Sequence, residues 1–348
     1  MSIYINGINS ISAIEKFSNE MIIPEKQISQ DAYAHLACKE PVYKEIINPM
    51  LLRRMSRVMK MGIASALLCL KDAGIEVPEA IVTSTGLGCI EDSDKFLSSL
   101  IENKETMLNP TPFIQSTHNT IGSQIALQLK CYGYNSTYAG RGACFEMALL
   151  DSLMLLSENE VNNVLLGGYD ELTPNLITIL YRLGLFRGNS INNTEHIGVM
   201  PGEGASFALL SYKSGKNDYA CIKGVSLLNE EKSQIEQIND FLSKYNLTIG
   251  EIDSFMLGTT NADIKKSNYK NLVGNLNKTS NIAWFKHLNG ESTTSSSFAF
   301  WLAANCLKNQ NIPDMALLQK GKSSAINHML IINHTMDNQY SVILLSKC

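Results

Sequence analysis

The chain has 348 residues, of which 45% are hydrophobic, and its formal net charge at pH 7 is −4. This length is enough for one large domain or for two packed halves with a substantial core. A mildly acidic chain without a cluster of lysines and arginines is not typical of nucleic-acid-binding proteins, so we expect no nucleic-acid partner.

Neither a membrane span nor an export signal is visible in the sequence. No apolar run approaches the length of a transmembrane helix, and residues 1–6 lack the basic and apolar regions of a signal peptide. The eight cysteines include no Cys-x-x-Cys pair and no Cys/His cluster at metal-binding spacing. We therefore predict a cytoplasmic protein with reduced thiols, no metal and no cofactor.

Predicted strands and helices alternate along the first half of the chain. The apolar patterns predict strands at 3–8, 80–85, 134–138 and 161–167, and helices at 52–72, 92–103, 121–130 and 144–158. The last of these helices is apolar almost all round, which is typical of a buried helix.

The second half repeats this alternation after a polar break at residues 212–218. Strands are predicted at 221–227, 252–256 and 282–285, helices at 233–245, 265–276 and 292–307, and a closing hairpin at 329–332 and 340–345. The repetition predicts a layered α/β architecture with two halves, 1–212 and 219–348.

Cys144 lies between a polar turn and the apolar helix, in the segment Gly140-Arg141-Gly142-Ala143-Cys144-Phe145-Glu146. A thiol in the first turn of a helix lies close to unpaired backbone N–H groups, which favour the reactive thiolate. Two interpretations remain open from the residues alone. Cys144 is either a nucleophile or a small buried core residue, and no base is adjacent to it in the sequence.

Several segments, taken in chain order, resemble the β-ketoacyl synthases, the condensing enzymes of the thiolase superfamily. They are Arg53-Arg54-Met55-Ser56-Arg57, Ser84-Thr85-Gly86-Leu87-Gly88, Gly142-Ala143-Cys144, Leu165-Leu166-Gly167-Gly168-Tyr169-Asp170 and Gly202-Glu203-Gly204-Ala205. The resemblance implies a thiolase-like fold, with two pseudo-symmetric βαβαβ halves in five α-β-α-β-α layers. It also implies that Cys144 occupies the nucleophile position and that acyl carrier protein is a partner.

The second half departs from the family at both catalytic histidines. Ketosynthases carry one histidine in a His-Gly-Thr-Gly-Thr turn and another after a Lys-x-x-x-Gly pattern. Leu257 stands at the first position and Glu291 at the second, whereas Lys286 is retained.

These replacements bear on the chemistry that the resemblance implies, in which the histidines donate hydrogen bonds to the enolate of a decarboxylated malonyl-thioester. Leucine cannot donate, and an ionised Glu291 would repel the enolate. A protonated Glu291 would donate if burial raised its pKa, and the neighbouring His287 is a second possible substitute.

The resemblance further implies a substrate pocket next to Cys144. Its expected residues are Thr117, His118, Phe145, Thr259 and Thr260. For His118 the alternative is a hydrogen-bonded structural histidine.

Segments 111–119 and 141–151 are most similar to the ketosynthase-like proteins of aryl-polyene and flexirubin-type pathways, which include chain-length-factor-like subunits. Such subunits pair with an active ketosynthase and shape the tunnel in which the polyene grows.

Two hypotheses follow. The chain is a partner subunit of a ketosynthase in polyketide, aryl-polyene or fatty-acid-type biosynthesis, or it is a β-ketoacyl synthase or acyltransferase that uses Cys144 with altered donors. The resemblance implies a dimer, with itself or with a ketosynthase, through the strand before Cys144.

Overall fold

The computed structural model describes residues 2–18, 21, 24–28, 33–186, 200–229, 231–259, 272–276, 279–323, 325–335 and 339–348. The strands of the first half are β1 (Ile3–Ile11), β2 (Gln27–Ile28), β3 (Ala34–His35), β4 (Ala80–Thr85), β5 (Tyr134–Ala139), β6 (Asn163–Asp170) and β7 (Gly204–Ser211). Its helices are α1 (Pro49–Leu52), α2 (Arg57–Ala73), α3 (Ile90–Glu102), α4 (Pro110–Gln115), α5 (Thr120–Leu129), α6 (Cys144–Ser157) and α7 (Pro174–Arg182).

The strands of the second half are β8 (Cys221–Leu228), β9 (Ser254–Gly258), β10 (Asn281–Trp284), β11 (Leu317–Gln319), β12 (His328–His334) and β13 (Tyr340–Ser346). Its helices are α8 (Gln234–Ser243), α9 (Lys286–Asn289) and α10 (Ser295–Asn309). Of the helix predicted over 265–276, residues 272–275 are helical, and the part before 272 lies outside the described residues. None of the helices in the described ranges is both long enough and apolar enough to cross a membrane.

The helix predicted from residue 52 is interrupted in the structure. Asn48 caps α1 by accepting a hydrogen bond from the Met50 N–H, and α2 begins only at Arg57. The Arg57 N–H donates to the Glu91 carboxylate, 3.3 Å away, so its partner comes from outside the helix. The N–H groups of the first turn of a helix have no acceptor within the helix, so they need an acceptor from elsewhere, such as Glu91.

Eleven strands form one mixed sheet, in the order β11-β10-β9-β12-β13-β8-β1-β7-β6-β4-β5. The main strands in chain order are β1, β4, β5, β6 and β7 in the first half and β8, β9, β10, β12 and β13 in the second. In both halves the first of these strands lies at the junction, and the third, β5 or β10, lies farthest from it. The last strand of each half, β7 or β13, is antiparallel to both of its neighbours. The halves are joined where β1 pairs with β8 over Ile3–Ile222 and Tyr4–Cys221. This repetition is the pseudo-symmetry that the sequence predicts.

Three apolar clusters divide the structure into layers. The central cluster contains α6 and α10 together with inward-facing strand residues from both halves, such as Val82 and Ile343. The second cluster lies under α2 and α5 and takes the opposite strand faces of the first half, as at Ile81. The third lies under α8 in the second half. The order of layers is therefore helix, strand, helix, strand, helix.

The two central helices differ in how completely they are buried. In α10 every residue from Ser295 to Leu307 is buried, as predicted. Helix α6 instead exposes a stripe of Met147, Leu150 and Met154, which are 39%, 41% and 50% exposed. The prediction of a fully buried α6 was therefore wrong. This helix packs beside β5, the edge strand, and no other element of the described chain covers its outer side.

Strand β1 approaches α2 so closely that only glycine fits at position 7. A Cβ atom at Gly7 would lie 2.6 Å from the Cβ of Ala73 and 2.8 Å from the carbonyl oxygen of Cys69. We predict that Gly7→Ala lowers the free energy of unfolding by about 1–3 kcal/mol, because the backbone contact cannot be relieved by rotating a side chain. Urea denaturation measures this.

Gly274→Ala is the matched control, because no atom of the described residues lies within 4 Å of a Cβ atom at that position. It should leave stability unchanged or raise it by up to about 1 kcal/mol. Equal effects of the two substitutions would contradict the packing described for β1 and α2.

Candidate functional site

Cys144 is the first residue of α6, directly after a tight turn. The turn is completed by Ala143, whose φ of 51° lies in the left-handed region that non-glycine residues rarely adopt. The Cys144 side chain is 3% exposed, and its thiol donates to the carbonyl oxygen of Thr293 at a sulfur–oxygen distance of 3.7 Å. Cys144 therefore lies between the start of α6 and the segment that leads into α10.

The surroundings of Cys144 favour the protonated thiol. Burial raises the pKa of Cys144 well above its usual value, and the carboxylates of Asp170 and Glu146 raise it further. The backbone N–H groups of Phe145 and Cys144 lower the pKa but do not offset these effects. The expectation that the helix start alone would favour the thiolate is therefore not met.

Asp170 joins the two halves next to Cys144. It ends β6, is 8% exposed, and accepts hydrogen bonds from both halves of the chain. The donors are the Gly86 N–H (2.7 Å), the Thr85 hydroxyl (3.2 Å), the Thr293 hydroxyl (2.6 Å) and the Thr294 N–H and hydroxyl (3.0 and 2.8 Å). The sequence suggested Asp170 only as a strand end, because its partners are distant in the chain.

Lys286 and Glu291 form a buried ion pair. They are 3% and 4% exposed, and the Lys286 ammonium donates both to Glu291 Oε2 and to the backbone carbonyl of His334. Ser295 donates to Glu291 Oε1 at 3.5 Å. A carboxylate that neutralises a buried ammonium is a hydrogen-bond acceptor, so this geometry favours ionised Glu291 over a protonated donor.

Leu257 faces away from Cys144. It lies in the outer cluster of the second half with Phe255 and Ile332, whereas Met256 lies in the central cluster. Since side chains alternate along a strand, Gly258 is the next position that faces the central layer. Leu257, which stands at the position of a family histidine in the sequence, therefore does not converge with Cys144.

The place of a side chain at position 258 is taken by Asn333. A Cβ atom on Gly258 would lie 2.2 Å from the Asn333 Oδ1 atom. That oxygen is buried and has no hydrogen-bond partner among the described residues. An amide acceptor therefore occupies the space into which a donor at position 258 would project.

The predicted pocket residues Thr117 and His118 lie in the exposed loop between α4 and α5. The Thr117 hydroxyl bonds to that of Thr120 at 2.9 Å, and the His118 carbonyl accepts from the Tyr169 hydroxyl at 2.9 Å. The His118 ring lies against Gly88. The hydrogen bond uses the His118 backbone and not its ring, so both interpretations of His118 stay open.

The other predicted pocket residues have different surroundings. Phe145 is fully buried in the central cluster and packs edge-on against Phe300, with ring centroids 5.7 Å apart. Thr259 is 1% exposed at the end of β9, and Thr260 lies outside the described residues. Phe145 is therefore a core residue.

The structure brings Cys144, Lys286 and Glu291 to neighbouring segments, and leaves Leu257 apart. Cys144 and Glu291 both contact residues of the 293–295 segment. A Cβ atom on Gly142 would lie 3.1 Å from the hydroxyl of Thr335, which follows the His334 carbonyl that Lys286 binds. In the described ranges no group of three or more His, Cys, Asp and Glu side chains is arranged to hold a metal.

Two of the family-like motifs meet in a structural ion pair. Arg57 binds both carboxylate oxygens of Glu203 at 2.5 Å, and Glu203 also accepts from the N–H groups of Cys38 and Leu172. Burial alone would raise the pKa of Glu203, but Arg57 outweighs it and holds that pKa below its usual range. These motif residues therefore stabilise the fold.

We predict that Leu257→His destabilises the protein without restoring a catalytic donor. The imidazole would enter the apolar outer cluster, at a cost of about 1–3 kcal/mol for an unpaired buried polar group. Leu257→Met is the matched control and should cost less than about 1.5 kcal/mol. Equilibrium unfolding of both variants tests this, and a stable Leu257→His variant with new decarboxylase activity would contradict the orientation of Leu257.

His287 follows Lys286 but contacts a different part of the chain. Its Nε2 atom lies 2.8 Å from the Met315 carbonyl oxygen, and its ring stacks on Trp284 with centroids 4.1 Å apart. Bonding to a carbonyl requires a proton on Nε2, and the buried Nδ1 has no hydrogen-bond partner in the part of the chain that the structure describes. Burial lowers the pKa of His287 to about 4, and the bond to Met315 only partly opposes this.

The lowered pKa of His287 predicts that stability falls on acidification. Below the usual histidine pKa of 6.5, His287 is protonated in the unfolded chain. In the native state it stays neutral until about pH 4. His287 should therefore cost up to about 3 kcal/mol of stability between those values. His287→Gln keeps a donor toward Met315 but cannot titrate, so its unfolding free energy should depend less on pH in this window. If the unfolding free energies of His287→Gln and the unaltered chain depended on pH in the same way, His287 would not be the cause of the loss of stability.

Both the sequence and the fold of the chain are similar to those of known proteins. Residues 26–180 match the family model of the beta-ketoacyl synthase N-terminal domain, and no curated protein sequence matches the chain. The ishigamide ketosynthase/chain length factor superimposes with a TM-score of 0.79 at 16% identity, covering 100% of this chain and 99% of that chain. A type II polyketide synthase acyl-carrier protein complex with its ketosynthase gives 0.73 at 14%, with coverages of 100% and 99%.

A third similar structure is a ketosynthase in complex with its chain length factor from Xenorhabdus doucetiae, with a TM-score of 0.75 at 15% identity and coverages of 100% and 98%. At such identities the likeness establishes the fold, and the predicted thiolase-like architecture is confirmed. Residues 26–180 are thus similar to the N-terminal domain of the beta-ketoacyl synthases, and the whole chain has the fold of the ketosynthase structures that it matches.

Proposed function

We propose that this chain is a non-condensing partner subunit of an active ketosynthase, similar to a chain length factor. The Lys286–Glu291 ion pair carries this proposal. It places a neutralised acceptor where the family carries a histidine donor. Glu291 accepts from Lys286, and the Lys286 ammonium is held by Glu291 and the His334 carbonyl.

The chemistry of condensation requires what this site lacks. Decarboxylation of a malonyl-thioester develops negative charge on an oxygen, and each missing donor to such an oxygen typically costs about 10²–10³ in rate. Position 258 has no side chain, and Asn333 directs an acceptor into that space. Asp170 and Glu146 raise the pKa of Cys144, so the thiol is also poorly activated.

The surface around β5 supports a partner. Strand β5 is the sheet edge, and an unpaired edge is a liability that a partner strand removes. The apolar stripe of Met147, Leu150 and Met154 on α6 lies next to it. Two of the similar structures are described as a ketosynthase with a chain length factor, so a ketosynthase is the partner that we propose. Acyl carrier protein, present in a third similar structure, would serve the assembled pair.

The pathway is part of the proposal. The likeness of segments 111–119 and 141–151 to aryl-polyene and flexirubin-type proteins supports a role in polyketide or related fatty-acid-type biosynthesis in the cytoplasm. We also propose 1–212 and 219–348 as the two structural halves of the subunit, on the basis of their matching strand orders.

A second candidate function is acyl transfer by Cys144 itself. The observation that favours it is the position of the sulfur at the start of α6, where the N–H groups of Phe145 and Cys144 act on it. Such N–H groups can hold a thioester oxygen during acyl transfer. The two candidates differ in whether product formation by the assembled pair depends on Cys144.

Co-expression with a complete Cys/His/His ketosynthase tests the proposed pairing. We predict an equimolar complex that condenses malonyl units, with activity lost on replacing the ketosynthase's nucleophile but retained in Cys144→Ala. Leu150→Lys with Met154→Lys should dissociate the complex, because two charges would enter the apolar contact.

Leu97→Lys is the control for this experiment, because Leu97 is also exposed (57%) but lies on α3. It should leave the complex intact. Loss of product in Cys144→Ala while the complex remains assembled would overturn the proposal in favour of the second candidate.

A further inference from the structure

Two cysteine thiols are in contact where the two halves of the sheet join. Cys221 begins β8, and Cys348 follows the end of β13. Their Sγ atoms are 3.8 Å apart. Cys221 is buried, at 6% exposure, whereas Cys348 is exposed. One sulfur of the pair is therefore open to a reagent, and the other lies behind it.

Strand register explains why the two sulfurs meet. Ser346 of β13 pairs with Cys221 of β8, and Cys348 lies two residues further along, so its side chain is on the same side. Cross-strand neighbours on one face are within side-chain reach of each other. A disulfide bond is about 2.0 Å long, so bond formation requires the sulfurs to approach by about 1.8 Å. Cys348 lies beyond the strand end, where rotation of its side chain can provide this.

We propose that Cys221 and Cys348 form a reversible dithiol site that accepts oxidising equivalents from a small-molecule disulfide such as oxidised glutathione. The Cys348 thiolate attacks one sulfur of the reagent and releases one glutathione thiolate. Cys221 then attacks the Cys348 sulfur and releases the second. The two protein thiols lose two protons and two electrons, and the reagent is reduced to two glutathione molecules.

The surroundings of the two thiols determine how much reactive thiolate is present and therefore the rate of this reaction. Burial, with smaller contributions from Cys221 and Asp218, raises the pKa of Cys348 to about 12, and Lys223 partly opposes this. Burial also raises the pKa of Cys221. The thiolate is therefore scarce near neutral pH, and the reaction should accelerate as the pH rises. In a reducing compartment the pair would remain reduced until an oxidised reagent accumulates.

The position of the pair gives the bridge a structural consequence. Cys221 pairs with Ser346 of β13 on one side and with Tyr4 of β1 on the other, and the β1–β8 pairing joins the two halves. A bond to Cys348 would fasten the end of β13 to this junction. Cross-linking residues so far apart in sequence restricts the unfolded chain strongly, so oxidation should raise the unfolding temperature.

The test is to treat the native chain with oxidised glutathione at mildly alkaline pH and to follow its intact mass. We expect a transient glutathione adduct, then a species lighter than the reduced chain by two hydrogens, with residues 221 and 348 linked in the peptide map. Dithiothreitol should reverse the change, and the melting midpoint should rise by a few degrees on oxidation.

Single variants separate the two steps. Cys221→Ser should retain the adduct on Cys348, and Cys348→Ser should form no bridge. Cys131→Ser is the control, because Cys131 bonds to the Pro78 carbonyl, and it should behave as the unaltered chain. A stable adduct on Cys348 in the unaltered chain, or no reaction there while the denatured chain reacts, would overturn the proposal.

Discussion

A single buried carboxylate, that of Asp170, fixes the geometry on which the site depends. It binds the turn after β4 through Gly86 and the start of α10 through Thr293 and Thr294, so it crosses from one half to the other. Each of these donors would lose its partner if the carboxylate were removed, and an unpaired buried polar group costs about 1–3 kcal/mol. Because the Thr293 carbonyl also receives the Cys144 thiol, the position of the sulfur follows from the same contact.

The second constraint is the requirement that buried charges be neutralised. Glu291 and Lys286 satisfy each other, and breaking such a pair leaves an uncompensated charge in the interior. Under the proposed function, this ion pair stands where the family carries a catalytic histidine. A side chain at position 258 would collide with the Asn333 amide. Both features agree with the proposed subunit that does not itself condense malonyl units.

Much of the fold was predictable from the sequence, because buried strands and helices leave apolar patterns, as in β6 and α10. The orientation of Leu257 was not predictable, since one residue of register decides which side of the sheet a strand residue faces. The exposed stripe of Met147, Leu150 and Met154 has the sequence pattern of a core, because an exposed apolar stripe has the same composition as an interior. The role of Asp170 depends on contacts between residues more than a hundred positions apart, which no local pattern records.

A site without donors cannot stabilise an enolate, and the release of carbon dioxide from malonyl-loaded acyl carrier protein measures this directly. We expect the purified chain, Cys144→Ala and Glu291→Gln all to release carbon dioxide no faster than a protein-free control. Sustained release by the unaltered chain that is lost in Cys144→Ala or Glu291→Gln would contradict this expectation, since it would show that these residues supply the missing donors.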